Sequence, residues 1–169
     1  AEQRMHAGAP IVIFEPSLVY GPADHSEVGV QLRAARDGRL RYRALGEVGF
    51  GLVHADDLAV GIVEALERGR IGESYVLSGP RSTLDEAVAL AASLGGRQPP
   101  RIAIPTRLLR LLAPVGGLIG RANLGEIVSA SAGVTYWASS AKAHAELGFE
   151  PRSIEQGLRD TFETPPDLF

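Results

Sequence analysis

No cysteine occurs in the 169 residues. That excludes a disulfide framework, thiolate chemistry and structural zinc held through cysteine. It also leans towards a reducing compartment, and the cytoplasm is the expected location. Charge of one sign is never concentrated. The net charge is −3, and the 17 lysines and arginines are scattered. A nucleic-acid partner would need a clustered basic face, so none is expected. Long hydrophobic runs are missing too. The greasiest stretch, LLRLLAPVGGLIG at 108–120, is broken by Arg110, Pro114 and three glycines. It is too short to cross a bilayer, and no membrane span is expected. The opening AEQRMHAGAP lacks the apolar core of a signal peptide.

Complete catalytic constellations are also lacking. His6, His25, His54 and His144 do not stand at metal-ligand spacing, and there is no H-E-x-x-H cluster and no G-x-S-x-G elbow. No metal site is expected. Asp56 and Asp57 are adjacent, so they do not share a helix face, and a capping role is expected before an acid/base one. Two glycine clusters invite a phosphate-binding reading. GEVGFG at 46–51 has dinucleotide-loop spacing, but the strand-like LVHA follows it where a helix should open. GGLIG at 116–120 follows a helix rather than a strand, and fails the same test. No catalytic residue is assigned within this chain.

Hydrophobic residues make up 45%, enough for a real core in one domain or a large part of one. Residues 1–7 read as the tail of a helix closed by Gly8. Ile11–Phe14 is an unbroken apolar run, expected as a strand buried on both faces. Asp24 to Glu27 reads as a capping box, opening a helix with Val28, Leu32 and Ala35 on one face and a stop at Asp37-Gly38. Arg39–Arg43 reads as an edge strand, 46–51 as a loop, and Leu52–Ala55 as a brief strand. Asp56 or Asp57 is expected to cap a helix whose buried stripe is Ala59, Ile62, Val63 and Leu66, ending at Gly69. Ser74–Leu77 is a strand, and Thr83 to Glu86 a second capping box whose helix runs to Leu94. Arg101–Ile104 is a strand, 106–113 a helix, and 114–134 interrupted helix. Ser139 or Ser140 caps a short helix ending at Leu147-Gly148. Ser153 to Gln156 is a third capping box, leading to a last helix that ends near Glu163 before a loose tail. Strands alternate with helices early and helices dominate later: an α/β pattern followed by a mostly helical cap.

Four stretches occur in order: IVIFEPSLVYGPAD, LVHADDLAVGIVEAL, GESYVLSGPRSTLDEAVALAASLGG and SSAKAHAELGFEPRSIEQGLRDTF. Together they resemble the C-terminal half of the extended short-chain dehydrogenase/reductases, the NAD-dependent epimerase/dehydratase family. The resemblance implies an α/β fold: the C-terminal part of a Rossmann-like enzyme, with few short strands and a mostly helical substrate-binding subdomain. It implies one fragment over 1–169, the end of the Rossmann-like domain intermixed with that subdomain. The N-terminal dinucleotide-binding half, its glycine-rich loop and the family's Tyr-x-x-x-Lys pair would lie outside it.

By resemblance, Pro16, Ser17, Leu18 and Val19 would line the nicotinamide end of NAD or NADP in the full-length protein. Pro16 fixes φ and donates no hydrogen bond, so it can end a ladder and present a flat apolar surface. Ser17 can donate to a ribose or carboxamide oxygen. Tyr20, Phe50 and His54 are the expected substrate-side residues, with His54 either touching substrate or bracing its loop, and Asp57 a structural cap. Members acting on nucleotide sugars carry an arginine near Phe50-Gly51 to grip the diphosphate, and neither residue replaces it. Glu15 likewise stands where many members have arginine. The chain is closer in flavour to dihydroflavonol-reductase-like and 3β-hydroxysteroid-dehydrogenase-like members, with 108–119 forming part of a lid over a small-molecule substrate. The implied enzyme is an NAD(P)-dependent oxidoreductase on a carbonyl or alcohol, inactive as this fragment. The alternatives are a nucleotide-sugar epimerase/dehydratase and a non-catalytic assembly relative. Half a Rossmann sheet exposes a strand edge and an apolar face, so a homo-oligomer is expected.

Overall fold

A computed structural model describes residues 9–105 and 135–164. The expected helices at 1–7 and 106–113, the interrupted helix at 114–134, the lid at 108–119 and the tail from 165 lie outside the described residues. In chain order the elements are β1 (Ile13–Pro16), β2 (Leu18–Tyr20), α1 (Glu27–Arg36), β3 (Tyr42–Ala44), β4 (Gly49–His54), α2 (Ala55–Arg68), β5 (Ser74–Leu77) and β6 (Arg81–Thr83). They continue with α3 (Leu84–Leu94), β7 (Ile102–Ile104), β8 (Thr135–Tyr136), α4 (Ala141–Leu147) and α5 (Ile154–Glu163). This is the mixed α/β architecture expected of the chain. It divides into two compact units: Ala1–Asp24 with Gly51–Arg81 and Trp137–Phe169, and His25–Phe50 with Ser82–Tyr136.

In the first unit β1 pairs parallel with β5, Ile13 opposite Ser74 through Pro16 opposite Leu77. β2 pairs parallel with β4, setting Leu18, Val19 and Tyr20 against Leu52, Val53 and His54. α2 follows β4 and leads the chain to β5 in the other ladder. The core is Val53, Ala65, Tyr75, Leu77, Ala143, Leu147 and Phe149, with Phe14, Val19, Leu58 and Ile62 packed on it. Each fully buried large side chain here contributes on the order of 1.5–3 kcal/mol. α2 comes close to Phe149 because residue 61 is glycine, where a Cβ would lie 2.7 Å from the ring.

Several expectations need correction. The strand at Ile11–Phe14 instead runs Ile13–Pro16, with Glu15 and Pro16 exposed, because its one partner among the described residues is β5. Nor does Pro16 end the ladder, since Ser17 N–H still donates to Leu77 O at 3.3 Å. The first capping box fails: Ser26, not Asp24, is the N-cap, and its hydroxyl accepts from Gly29 N–H at 3.2 Å. Neither Asp56 nor Asp57 caps α2. His54 does, its Nδ1 accepting from Asp56 N–H at 3.3 Å. The buried stripe of α2 is Leu58, Gly61, Ile62 and Ala65, while Ala59, Val63 and Leu66 face outward. The edge strand is β3, starting at Tyr42 rather than Arg39, and the strand expected at Leu52 already begins at Gly49.

In the second unit α1 packs on α3, and β3 pairs parallel with β7. The two helices meet where Gly95 caps α3: a Cβ there would lie 2.0 Å from Arg36 O. Arg43 holds Asp85 at 2.9 Å, and Asp85 N–H donates to Gly46 O at 3.0 Å, fixing the start of α3. The second capping box is present as expected: Glu86 N–H donates to Thr83 Oγ1 at 3.2 Å, and Thr83 N–H to Glu86 Oε2 at 2.7 Å. The third is present at Ser153 and Gln156 in the first unit. Thr83→Ala is expected to cost about 1 kcal/mol. That is roughly 2–4 °C in thermal midpoint for a chain of this size, read by circular dichroism. An unchanged midpoint would mean that the box does not hold α3.

Candidate functional site

The changeover between β1 and β2 carries the residues expected beside a cofactor. Up to Pro16 the chain bonds to β5; from Leu18 on it bonds to β4. The two ladders part at Ser17, and small residues fill the notch. Ser17 Oγ accepts from Gly79 N–H at 3.4 Å, and Ser78 Oγ donates to Gly79 O at 3.2 Å. A Cβ on Gly51 would lie 2.1 Å from Ser78 Oγ and 3.1 Å from Ser17 Oγ. A Cβ on Gly79 would lie 1.7 Å from Leu52 O. Only hydrogen fits at Gly79, and a side chain at residue 51 would need Ser78 to move, so the strands pack closely here. Ser17 uses an oxygen lone pair in its contact with Gly79 and keeps its hydroxyl hydrogen for another acceptor.

Of the residues expected beside a cofactor, Pro16 is exposed, and Ser17 and Leu18 are half-buried. Val19 points the other way, into the core with Val53. Of the expected substrate-side residues, Tyr20 and His54 come together. They are register partners on β2 and β4, and their rings meet edge to face at 5.4 Å. Both are enclosed, 2% and 1% exposed. Because Nδ1 of His54 accepts from Asp56 N–H, the ring proton sits on Nε2, which has no partner among the described residues. Burial first, and the Arg152 charge second, push the His54 pKa down and keep it neutral. Burial and then Asp57 push the Tyr20 phenol well above its usual range. A Cβ on Gly157 would lie 1.9 Å from Tyr20 Oη, so α5 reaches this ring through a glycine. Phe50 is buried in the second unit, where it pairs with Tyr136.

Sequence reasoning missed Arg152. Its backbone N–H and Nε bond to Asp57 at 2.9 and 2.8 Å, and a further guanidinium nitrogen reaches Asp160 at 2.5 Å. Asp57 is thus structural as expected, but as the anchor for a segment 95 residues away rather than as a cap. No local signal could reveal it. Lys142 is the single lysine, and the residue four before it is Ala138, so the chain contains no Tyr-x-x-x-Lys pair. Its ammonium bonds to Glu73 at 2.6 Å and Ser74 O at 2.8 Å, above the Tyr75 ring. Among the described residues no group of acids and histidines could hold a metal, and no helix is long and apolar enough to cross a membrane. A shallow groove on the second unit, lined by Val30, Arg33, Ala34 and Arg39, contains none of the expected site residues.

No family model matches the chain. It is 30% identical over 165 residues to a Synechocystis protein named as a dihydroflavonol 4-reductase, covering 90% of this chain and 47% of that one. It is 30% identical over 177 residues to the 2-alkyl-3-oxoalkanoate reductase of Stenotrophomonas maltophilia, covering 94% of this chain and 54% of that protein. The chain therefore spans about half the length of these curated relatives. The crystal structure of a nucleoside-diphosphate-sugar epimerase from Pseudomonas aeruginosa superposes with a TM-score of 0.76 at 25% identity, over 96% of this chain and 50% of that one. By sequence and by fold, the chain belongs to the extended short-chain dehydrogenase/reductases of the NAD-dependent epimerase/dehydratase type.

Proposed function

We propose that this chain is the substrate-side portion of an NAD(P)-dependent oxidoreductase acting on a carbonyl or alcohol. The glycine-rich loop and the proton-donating tyrosine of the whole enzyme would come from outside these residues. The observation that carries the reading is the parting of the two ladders at Ser17, which leaves Pro16 exposed and the Ser17 hydroxyl hydrogen available to an acceptor. A bound nicotinamide supplies hydride transfer. Pro16 offers an apolar face without a donor, and Leu18 flanks it. Ser17 would donate its hydroxyl hydrogen to a ribose or carboxamide oxygen. Val19 supports the strand from the core. Tyr20 and His54, enclosed in the first unit, would form part of a substrate floor rather than reaching groups, and Phe50 is given no part in it.

The names of the two curated relatives favour reduction over epimerisation, and so does the space at residue 51. An arginine there, as a diphosphate clamp requires, would need the Ser78 side chain to move. Two measurements test the reading. The 169-residue chain alone is expected to oxidise no NADH or NADPH with any carbonyl, and turnover by it would refute the division of labour. In the whole gene product, Ser17→Ala is expected to weaken NAD(P)H binding roughly 2- to 10-fold, the worth of one hydrogen bond. Fluorescence titration reads this directly. Unchanged affinity would remove Ser17 from the site, and tight binding of a nucleotide diphosphate sugar would favour an epimerase or dehydratase.

A further inference from the structure

Trp137 is the one tryptophan of the chain, and it is 50% exposed. A ring of this size is ordinarily spent on a core or on a contact. Here the guanidinium of Arg81 lies over it, its central carbon 5.4 Å from the ring centroid. Arg81 opens β6 and is itself exposed. Arginines elsewhere in the structure hold acids, as Arg43 holds Asp85 and Arg152 holds Asp57. Arg81 holds none among the described residues; the indole is its partner there. The Trp137 indole N–H likewise meets no acceptor among them. Two sets of donors therefore stand side by side unspent.

Their place in the first unit matters as much as their chemistry. Gly79, whose N–H bonds to Ser17 Oγ at 3.4 Å, lies two residues before Arg81. That is roughly 7 Å of extended chain. Between them Pro80 O accepts from Leu52 N–H at 3.0 Å and ties the segment to β4. Arg81 is thus a cation held close to the changeover at Ser17. The ring under it limits the side chain's freedom, so an arriving anion has less disorder to remove. A guanidinium fork matches a carboxylate with two parallel hydrogen bonds. One fixed cation also suits one carboxylate. A diphosphate calls for a second cation, and residue 51, where an arginine would have to displace Ser78, is glycine.

We propose that Arg81, steadied by Trp137, binds the carboxylate of an oxo-acid substrate. The proposal rests on the carbonyl-reductase reading and names the substrate class that such a site takes.

The single tryptophan makes the test direct, because its emission reports on this pair without a label. The oxo acid levulinate, added to the 169-residue chain without cofactor, is expected to change that emission saturably, and methyl levulinate is not. Arg81→Gln is expected to weaken the response roughly tenfold or more, the worth of a hydrogen bond to a charged group. Arg81→Lys should restore only part of it, since an ammonium lacks the fork. An ester response equal to that of the acid, or no response to either, overturns the proposal. Inorganic phosphate binding as tightly as levulinate overturns the assignment to a carboxylate. Circular dichroism separates lost binding from lost folding in the variants, and the contrast of acid with ester in the parent needs no variant.

Kinetics of the whole gene product give the second readout. Arg81→Gln is expected to raise KM for the oxo acid roughly tenfold or more while leaving KM for the ester and for NAD(P)H nearly unchanged. An equal rise for acid and ester would show that Arg81 only holds β6 in place, and would overturn the proposal. A gene product that reduces neither compound refutes the oxidoreductase reading instead, and the emission titration, which needs no turnover, still decides the role of Arg81.

Discussion

Arg152→Ala is expected to lower the thermal midpoint by roughly 6–12 °C, the equivalent of about 3 kcal/mol in a chain of this size. The size of the effect comes from what stays behind. Asp57 is only 12% exposed at its side chain, and Arg152 supplies it with Nε and a terminal guanidinium nitrogen, both at 2.8 Å, besides the backbone N–H. Truncation removes the two side-chain donors and leaves a mostly buried carboxylate with one backbone bond. The loss of Asp160, half-exposed, adds little, as exposed pairs do. Arg152→Lys keeps the charge but not the fork, so it is expected to recover less than half of the loss. The double variant Asp57→Ala/Arg152→Ala should cost less than the two single changes added together, since one interaction is being removed twice. An Arg152→Ala protein melting within about 1 °C of the parent would show that the clamp is ornamental.

Gly79→Ala is expected to be worse, about 4 kcal/mol or enough to prevent folding. The new methyl would meet backbone, not a side chain that can swing away: Leu52 O at 1.7 Å, its carbon at 2.4 Å and Val53 Cα at 2.9 Å. Leu52 is itself pinned, its N–H donating to Pro80 O at 3.0 Å. The same shift would pull the Gly79 N–H from Ser17 and open the notch. Gly72→Ala is the useful comparison. Gly72 has φ +84° but nothing within 4 Å of its missing Cβ, so only the left-handed backbone is penalised, at about 1 kcal/mol. Urea unfolding of both variants measures the contrast. Equal midpoints would mean that the loop at Ser78-Gly79 relocates freely.

What was legible in the sequence was local. The capping boxes at Thr83 and Ser153 were found because both partners of each lie within four residues. Gly148 was found because a left-handed cap has a one-residue signature, and its φ is 74°. Local rules also misfired where two readings competed. Asp24 and Ser26 both satisfy a cap, and the choice between them depends on packing. At α2 an aspartate pair outranked a histidine as a cap, although His54 does the work. The stripe of α2 was read one register off because the helix is apolar on two faces, and only contact with Phe149 and Leu77 shows which faces inward. The parting of β1 and β2 at Ser17 depends on which strand each half finds, β5 or β4, and both lie far along the chain. Arg152 and Asp57 belong to the same class: their meeting is set by tertiary structure alone.

The single lysine has a practical consequence. A protease that cuts only after lysine has one address in this chain, and that address is folded away: its ammonium is tied to Glu73 and Ser74 O, and its peptide lies in α4. Cleavage there requires α4 to lift from β5, whatever the rest of the molecule does. Two product bands on a gel therefore count the opening of one seven-residue helix, with no label attached and no other site to confuse the count.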